Sequence, residues 1–71
     1  MRGLKVTVYL ARERKEKEVE LDFNSTVRDL VRKLGFTVQG VVVLRNGQPV
    51  LDDEKLKEGD NLTLVQTASG G

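Results

Sequence analysis

Leu4, Val6, Val8 and Leu10 alternate with Lys5, Thr7 and Tyr9. Successive side chains of an extended chain point to opposite sides, so this period of two predicts a strand with one face on a core. The six charged residues Arg12 to Lys17 then interrupt the pattern. Alternation returns with Val19, Leu21 and Phe23 against Glu18, Glu20 and Asp22, which places all three apolar residues on the core side of a second strand. Two strands this close in sequence predict a hairpin with a charged tip. The tip mixes both signs, which suits a solvated turn better than a basic docking site.

The period changes after Ser25. Val27, Leu30, Val31 and Leu34 fall at i, i+3, i+4 and i+7, one stripe of a helix. Thr26 is placed to cap its N-terminus, and Asp29 three residues on makes a near capping box. Gly35 follows the last apolar position, where a left-handed residue closes a helix, and Phe36 can fold back on the final turn. The helix is about two to three turns long, too short to persist alone, so it needs a sheet to lie on.

Val41-Val42-Val43-Leu44 is a β-branched run and predicts a strand covered on part of both faces. Asn46-Gly47 predicts a two-residue hairpin turn, because both positions of a type I′ turn require positive φ. Pro49-Val50 then predicts a very short strand at a sheet edge, where the missing proline N–H costs no ladder bond. Asp52 to Glu58 reads as a polar turn or a single helical turn around Leu56, and Gly59-Asp60-Asn61 as a tight turn into a last strand, Leu62 to Val65. The order is strand, strand, helix, strand, short strand, strand. A helix across one face of a mixed sheet buries both apolar surfaces, with the first and last strands parallel at the centre.

Size and composition narrow the function. Seventy-one residues make one small domain, here residues 1–66 with a flexible tail at 67–71. The absence of cysteine and histidine removes disulfides, thiolate metal sites and the commonest general base. That argues against an enzyme and against a bound metal or cofactor. Twelve basic residues against eleven acidic ones, net +1, do not suggest direct nucleic-acid binding. The first ten residues lack the apolar length of a signal peptide, and no run approaches the roughly 20 apolar residues of a membrane span. The expectation is a cytoplasmic monomer.

The sequence ends "QTASGG" directly after "LTLV". From the residues alone this is either a frayed end or cloning remnant, or a terminal carboxylate that is itself the reacting group. The ordered set "TVRDLVRKLG", "LRNGQPV", "LKEGDNLTLV" and a final "GG" resembles the α+β β-grasp fold of ubiquitin, a mixed sheet of four to five strands with one main helix packed across it. It is most similar to the sulfur-carrier branch: ThiS, MoaD, the ubiquitin-related modifier and the small archaeal modifier proteins. The resemblance covers nearly the whole chain.

It implies a sulfur carrier or protein modifier whose Gly71 carboxylate is adenylated by a ubiquitin-activating-like enzyme using ATP. The acyl group then becomes a thiocarboxylate or an isopeptide bond, serving thiamin or molybdopterin synthesis, tRNA thiolation or protein conjugation. A sulfur donor protein and an acceptor enzyme or target lysine are the further partners. Ser69 and Gly70 would thread a narrow channel, which glycine suits because it lacks Cβ. Five tail residues from Thr67 reach about 17 Å when extended.

Ubiquitin's register implies that Val42 and Leu44 face outward beside Val65 or Thr63 as a docking patch. The residues themselves leave this parity open, since an outward Arg45 would turn Val41 and Val43 to solvent instead. Arg28, Arg32 and Lys33 form a solvated helix face or a site for an acidic partner, and nothing singles out Lys33 or Lys55 as a modification site. A β-grasp binding module of the RNA-associated TGS type, or a generic protein-interaction domain, with no activated terminus is the alternative.

Overall fold

The computed structural model describes residues 3–67. Strands β1 (Gly3–Leu10) and β2 (Lys15–Asp22) form the first hairpin, followed by helix α1 (Val27–Lys33). A short 3-10 turn (Val38–Gly40) leads into β3 (Val41–Arg45), β4 (Gln48–Pro49) and β5 (Asn61–Gln66). The five strands make one mixed sheet in the order β2-β1-β5-β3-β4. β1 and β5 run parallel at its centre, and every other pair is antiparallel. This is the ubiquitin-like β-grasp arrangement expected from the sequence.

The core forms on one face of the sheet. Leu4, Val6, Val8 and Leu10 of β1 meet Leu62 and Leu64 of β5, Val43 of β3, and Val27, Leu30 and Val31 of α1. Val19, Leu21 and Leu56 complete it. The alternation in β1 and the helical stripe are therefore two halves of one buried surface.

The helix ends follow local chemistry. The Thr26 hydroxyl accepts from the Asp29 N–H, and the Asp29 carboxylate accepts from the Thr26 N–H at 2.9 Å, closing a capping box with Asp in place of the usual Glu or Gln. At the other end the Phe36 N–H donates to the Val31 carbonyl and the Gly35 N–H to that of Arg32, both at 3.0 Å. Those two bonds make a Schellman closure, which requires the positive φ of Gly35, +89°. Asn46 and Gly47, at φ 53° and 81°, form the type I′ turn between β3 and β4.

Three details depart from the sequence pattern. Phe23 is 63% exposed. β2 stops at Asp22, where the Ser25 N–H and hydroxyl both turn back to the Asp22 carbonyl, and Ser25 takes the buried place instead. The charged tip is shorter than Arg12–Lys17, because β2 begins at Lys15; an edge strand tolerates charged side chains while its backbone ladder continues. Arg14 makes the return at φ 56°. The short edge strand is Gln48–Pro49 rather than Pro49–Val50, although the Val50 N–H still donates to the Val43 carbonyl in the same register.

The segment Asp52 to Glu58 contains no helical turn. It runs beside the start of α1, where the Val27 and Arg28 N–H groups donate to the carbonyls of Glu54 and Asp52 at 2.9 and 2.8 Å. An isolated helix leaves those first N–H groups without partners. Leu56 is buried beneath this stitch.

Replacing Thr26 by Ala is expected to cost about 1 kcal/mol of unfolding free energy, the usual loss on removing an N-cap side chain. Urea unfolding followed by circular dichroism measures it. Asp29 and Asp52 are both held below the ordinary carboxylate pKa, Asp29 first by the Thr26 N–H and Asp52 first by the hydrogen bond from Arg28. Each therefore binds its proton less readily when folded than when unfolded. Their stabilisation is complete above the ordinary value and is lost as pH falls through the depressed folded values. The double variant Asp29→Asn/Asp52→Asn should flatten the acid limb of a stability–pH curve; an unchanged limb would show that other carboxylates govern it.

Candidate functional site

The site is assembled from the sheet face opposite α1 and from the end of β5. Strand pairing decides which side chains share that face, because residues directly opposite each other in a ladder point the same way. Val43 lies 4% exposed beneath the helix, so its neighbours Val42 and Leu44 face outward. Val42 stands opposite Val65, and Leu44 opposite Thr63. The outward parity implied by ubiquitin's register is thus the observed one. Val42 is 38% exposed, while Leu44 and Val65 are half-buried.

Arg45 shares the side of Val41 and Val43 without turning them to solvent, because it sits where β3 reaches the rim of the core. Its side chain is only 19% exposed and bonds the Asp60 carboxylate at 2.9 Å and the Lys55 carbonyl at 3.0 Å, with Glu54 at 3.6 Å. Its Nε is buried without a partner, a cost that the charge-assisted bonds at Nη2 offset. Arg45 therefore ties β3 to the 52–60 segment and settles which face is outward. The outward placement of Arg45 weighed from sequence is overturned.

Two further residues join the outer face. Tyr9 pairs with Thr63 across the parallel β1–β5 ladder, and Pro49 lies opposite Leu44. Tyr9 was legible as the polar-side member of the β1 alternation, but only the register of β5 places it beside Thr63. The result is a strip of Tyr9, Thr63, Val65, Val42, Leu44 and Pro49.

One border of the strip is acidic. Glu16, Glu18, Glu20 and Asp22 of β2 pair with Tyr9, Thr7, Lys5 and Gly3, so all four carboxylates lie on the outer face. Lys5 approaches Glu20 at 3.9 Å, an exposed pair that contributes little.

The helix cations divide differently. Arg28 is occupied by Asp52, donating from Nη2 at 2.6 Å and Nε at 3.0 Å, and that carboxylate raises its pKa. Arg32 and Lys33 are exposed on the last turn, and Lys55 Nζ donates to Asn24 Oδ1 at 3.4 Å. Among the described residues no group of three His, Cys, Asp or Glu side chains is arranged to hold a metal, and no helix is long and apolar enough to cross a membrane. A surface depression lined by Leu4, Asp22, Phe23 and Asp29 among others is open and lies at the end of the sheet away from the last residues of β5.

β5 runs parallel to β1 and so leaves the sheet beside the hairpin tip, where the Ala11 N–H donates to the Leu64 carbonyl at 3.0 Å. Arg12 Nη1 donates to Gln66 Oε1 at 3.3 Å. The Thr67 N–H and hydroxyl both donate to the Gly40 carbonyl, at 3.0 and 3.3 Å. Thr67, first residue of the expected flexible tail, is thus bonded to the body. Ser69, Gly70 and Gly71 lie outside the described residues.

Known proteins share this arrangement. SAMP1 from Haloferax volcanii superposes with a TM-score of 0.72 at 25% identity, over 94% of this chain and 99% of that one. The ubiquitin of Caldiarchaeum subterraneum gives 0.73 at 19% identity, over 99% and 100%, a likeness of fold alone. The sulfur carrier protein TtuB of Thermus thermophilus is 31% identical over 55 residues, 78% of this chain and 85% of that protein. The sequence model of the ThiS family matches residues 7–71, from the middle of β1 through the terminal Gly-Gly. By that match, and by the ubiquitin-like sheet and helix that carry it, the chain belongs to the ThiS family.

Proposed function

We propose that this chain is a sulfur carrier whose Gly71 carboxylate is activated by a separate adenylating enzyme. The observation that supports the reading is the family match running unbroken from β1 to Gly71. In the first step an oxygen of the Gly71 carboxylate attacks the α-phosphorus of ATP. An acyl–phosphate bond forms, the α–β phosphoanhydride bond breaks, and pyrophosphate leaves. In the second, a persulfide on a donor protein attacks the acyl carbon and AMP leaves. A thiol then splits the resulting acyl disulfide, giving a thiocarboxylate on Gly71 and a disulfide on the donor.

A lysine amine attacking the same adenylate would give an isopeptide bond instead, the modifier branch of the reading. Glycine suits the reacting position because it has no Cβ to obstruct a narrow channel. ATP belongs to the partner enzyme, and this chain is its second substrate. An acceptor enzyme receives the sulfur.

Val42, Leu44 and Val65 are the proposed docking residues, with Tyr9 and Thr63 completing the strip. An exposed aliphatic patch on a small domain usually marks an interface. The carboxylate row on β2 favours a partner carrying basic side chains beside an apolar surface, which raises encounter rates and suppresses wrong partners. That row equally disfavours a nucleic-acid backbone on this face, so the RNA-associated alternative is the weaker one.

Mass spectrometry after incubation with ATP, a cognate adenylating enzyme and a sulfur donor is expected to show the adenylate, then the mass gain of one oxygen replaced by sulfur. Deleting Gly70-Gly71 should abolish both while leaving the circular dichroism spectrum unchanged. Intact protein carrying neither product, with an enzyme proven active on another carrier, refutes the reading. Val42→Asp should raise KM for the carrier about tenfold, near 1.4 kcal/mol, with kcat little changed. An unaltered KM would remove this face from the docking surface.

A further inference from the structure

The reach of the tail depends on where its fixed root lies. We propose that the root is the clasp between Thr67 and Gly40, which sets the distance over which the Gly71 carboxylate is presented. The proposal rests on the activation of Gly71 described above and adds a positioning residue to it.

The clasp extends the register of the β3–β5 ladder one pair beyond its last strand residues. β3 and β5 pair from Arg45–Leu62 to Val41–Gln66, and Gly40 already belongs to the 3-10 turn that precedes β3. Its N–H is engaged with the Thr37 carbonyl at 3.1 Å, so the turn is held from within. The Gly40 carbonyl then takes both donors of Thr67, the N–H at 3.0 Å and the hydroxyl at 3.3 Å. A carbonyl oxygen has two lone pairs, and Thr67 supplies a donor for each.

On the opposite flank Arg12 holds the side chain of Gln66, and Ala11 holds the Leu64 carbonyl. Gln66 is thus held by β3 on one side and by the hairpin tip on the other, and Thr67 is fixed one residue beyond it.

This placement changes the arithmetic of presentation. With Thr67 clasped, four residues remain, Ala68 to Gly71, which span at most about 13–14 Å. With the root at Gln66 the span would be about 17 Å. One residue of chain, about 3.5 Å, is as long as the separation of reacting atoms in a productive complex. A displacement of 1 Å at that point can cost about 10²-fold in rate. Thr67 therefore acts through the tail: it touches neither ATP nor the acyl group, yet it decides where the carboxylate falls once the outer strip has docked.

Four proteins test this: the wild type, a chain lacking Ala68, Thr67→Pro, and the two changes combined. Thr67→Pro removes both donors and lies beyond the last strand, so the sheet should fold as before. The readout is pyrophosphate exchange with the cognate adenylating enzyme. Loss of Ala68 should lower kcat by about 10²-fold with KM for the carrier within about twofold, because the docking strip is unchanged. Releasing the clasp in the same chain should restore at least about tenfold, since Thr67→Pro returns one residue of reach. A deletion as active as the wild type, or a double variant no better than the single deletion, overturns the proposal.

A silent wild type with an enzyme proven active on another carrier refutes the activation of Gly71 instead. Amide exchange tests the clasp without any enzyme. The Thr67 N–H should exchange more slowly than in an unstructured peptide and stay protected in Thr67→Val, which keeps the N–H and loses the hydroxyl. Exchange at the unstructured rate would overturn the clasp by itself.

Discussion

The parallel pairing of the first and last strands is the constraint on which this molecule depends. Two parallel neighbours cannot be joined by a tight turn, so the chain between β1 and β5 must travel back to the starting end. The register Val8–Leu62 and Leu10–Leu64 turns four apolar side chains to one face, and α1 covers them. The same register turns Tyr9 and Thr63 to the other face. It also sends the end of β5 out beside the hairpin tip. Core, outer strip and the exit of β5 are thus three consequences of one ladder.

A helix of seven residues contributes little stability from its own hydrogen bonds, since nucleating so short a segment is unfavourable. Here it is held at both ends and from the side. The Thr26–Asp29 box and the Gly35 closure satisfy backbone groups within the chain's own neighbourhood. The 52–56 segment satisfies the next two N–H groups from a distance, and the Arg28–Asp52 pair fastens it. Arg45 joins the same segment to β3 through Asp60 and the Lys55 carbonyl. The stretch that looks like plain polar loop is a strap between the helix and the far side of the sheet.

The two faces of the sheet carry different burdens. One is given over to burial, and its side chains have no freedom to serve a partner. The other is left with a narrow apolar strip, a border of carboxylates on β2 and no metal-binding cluster among the described residues. Such a surface suits recognition by another protein.

Much that is local was legible in the amino-acid sequence. The alternation of β1, the Thr26 cap, the Gly35 closure, the Asn46-Gly47 turn and the helical stripe each rest on interactions spanning a few residues, so neighbouring letters carry the whole cause. The same spacing gave the order of the elements, and the family pattern added the importance attached to Gly71. What the letters could not decide were matters of register and distant pairing. Alternation predicted a buried Phe23, but the strand ended one residue earlier in a serine turn. The side taken by Arg45 stayed open until its partners, Asp60 and the 54–55 segment, came within reach from later in the chain. The outward parity of Val42 and Leu44 and the clasp of Thr67 on Gly40 belong to the same class. Each depends on which strand lies alongside, and a strand's two faces are equivalent until a neighbour buries one of them.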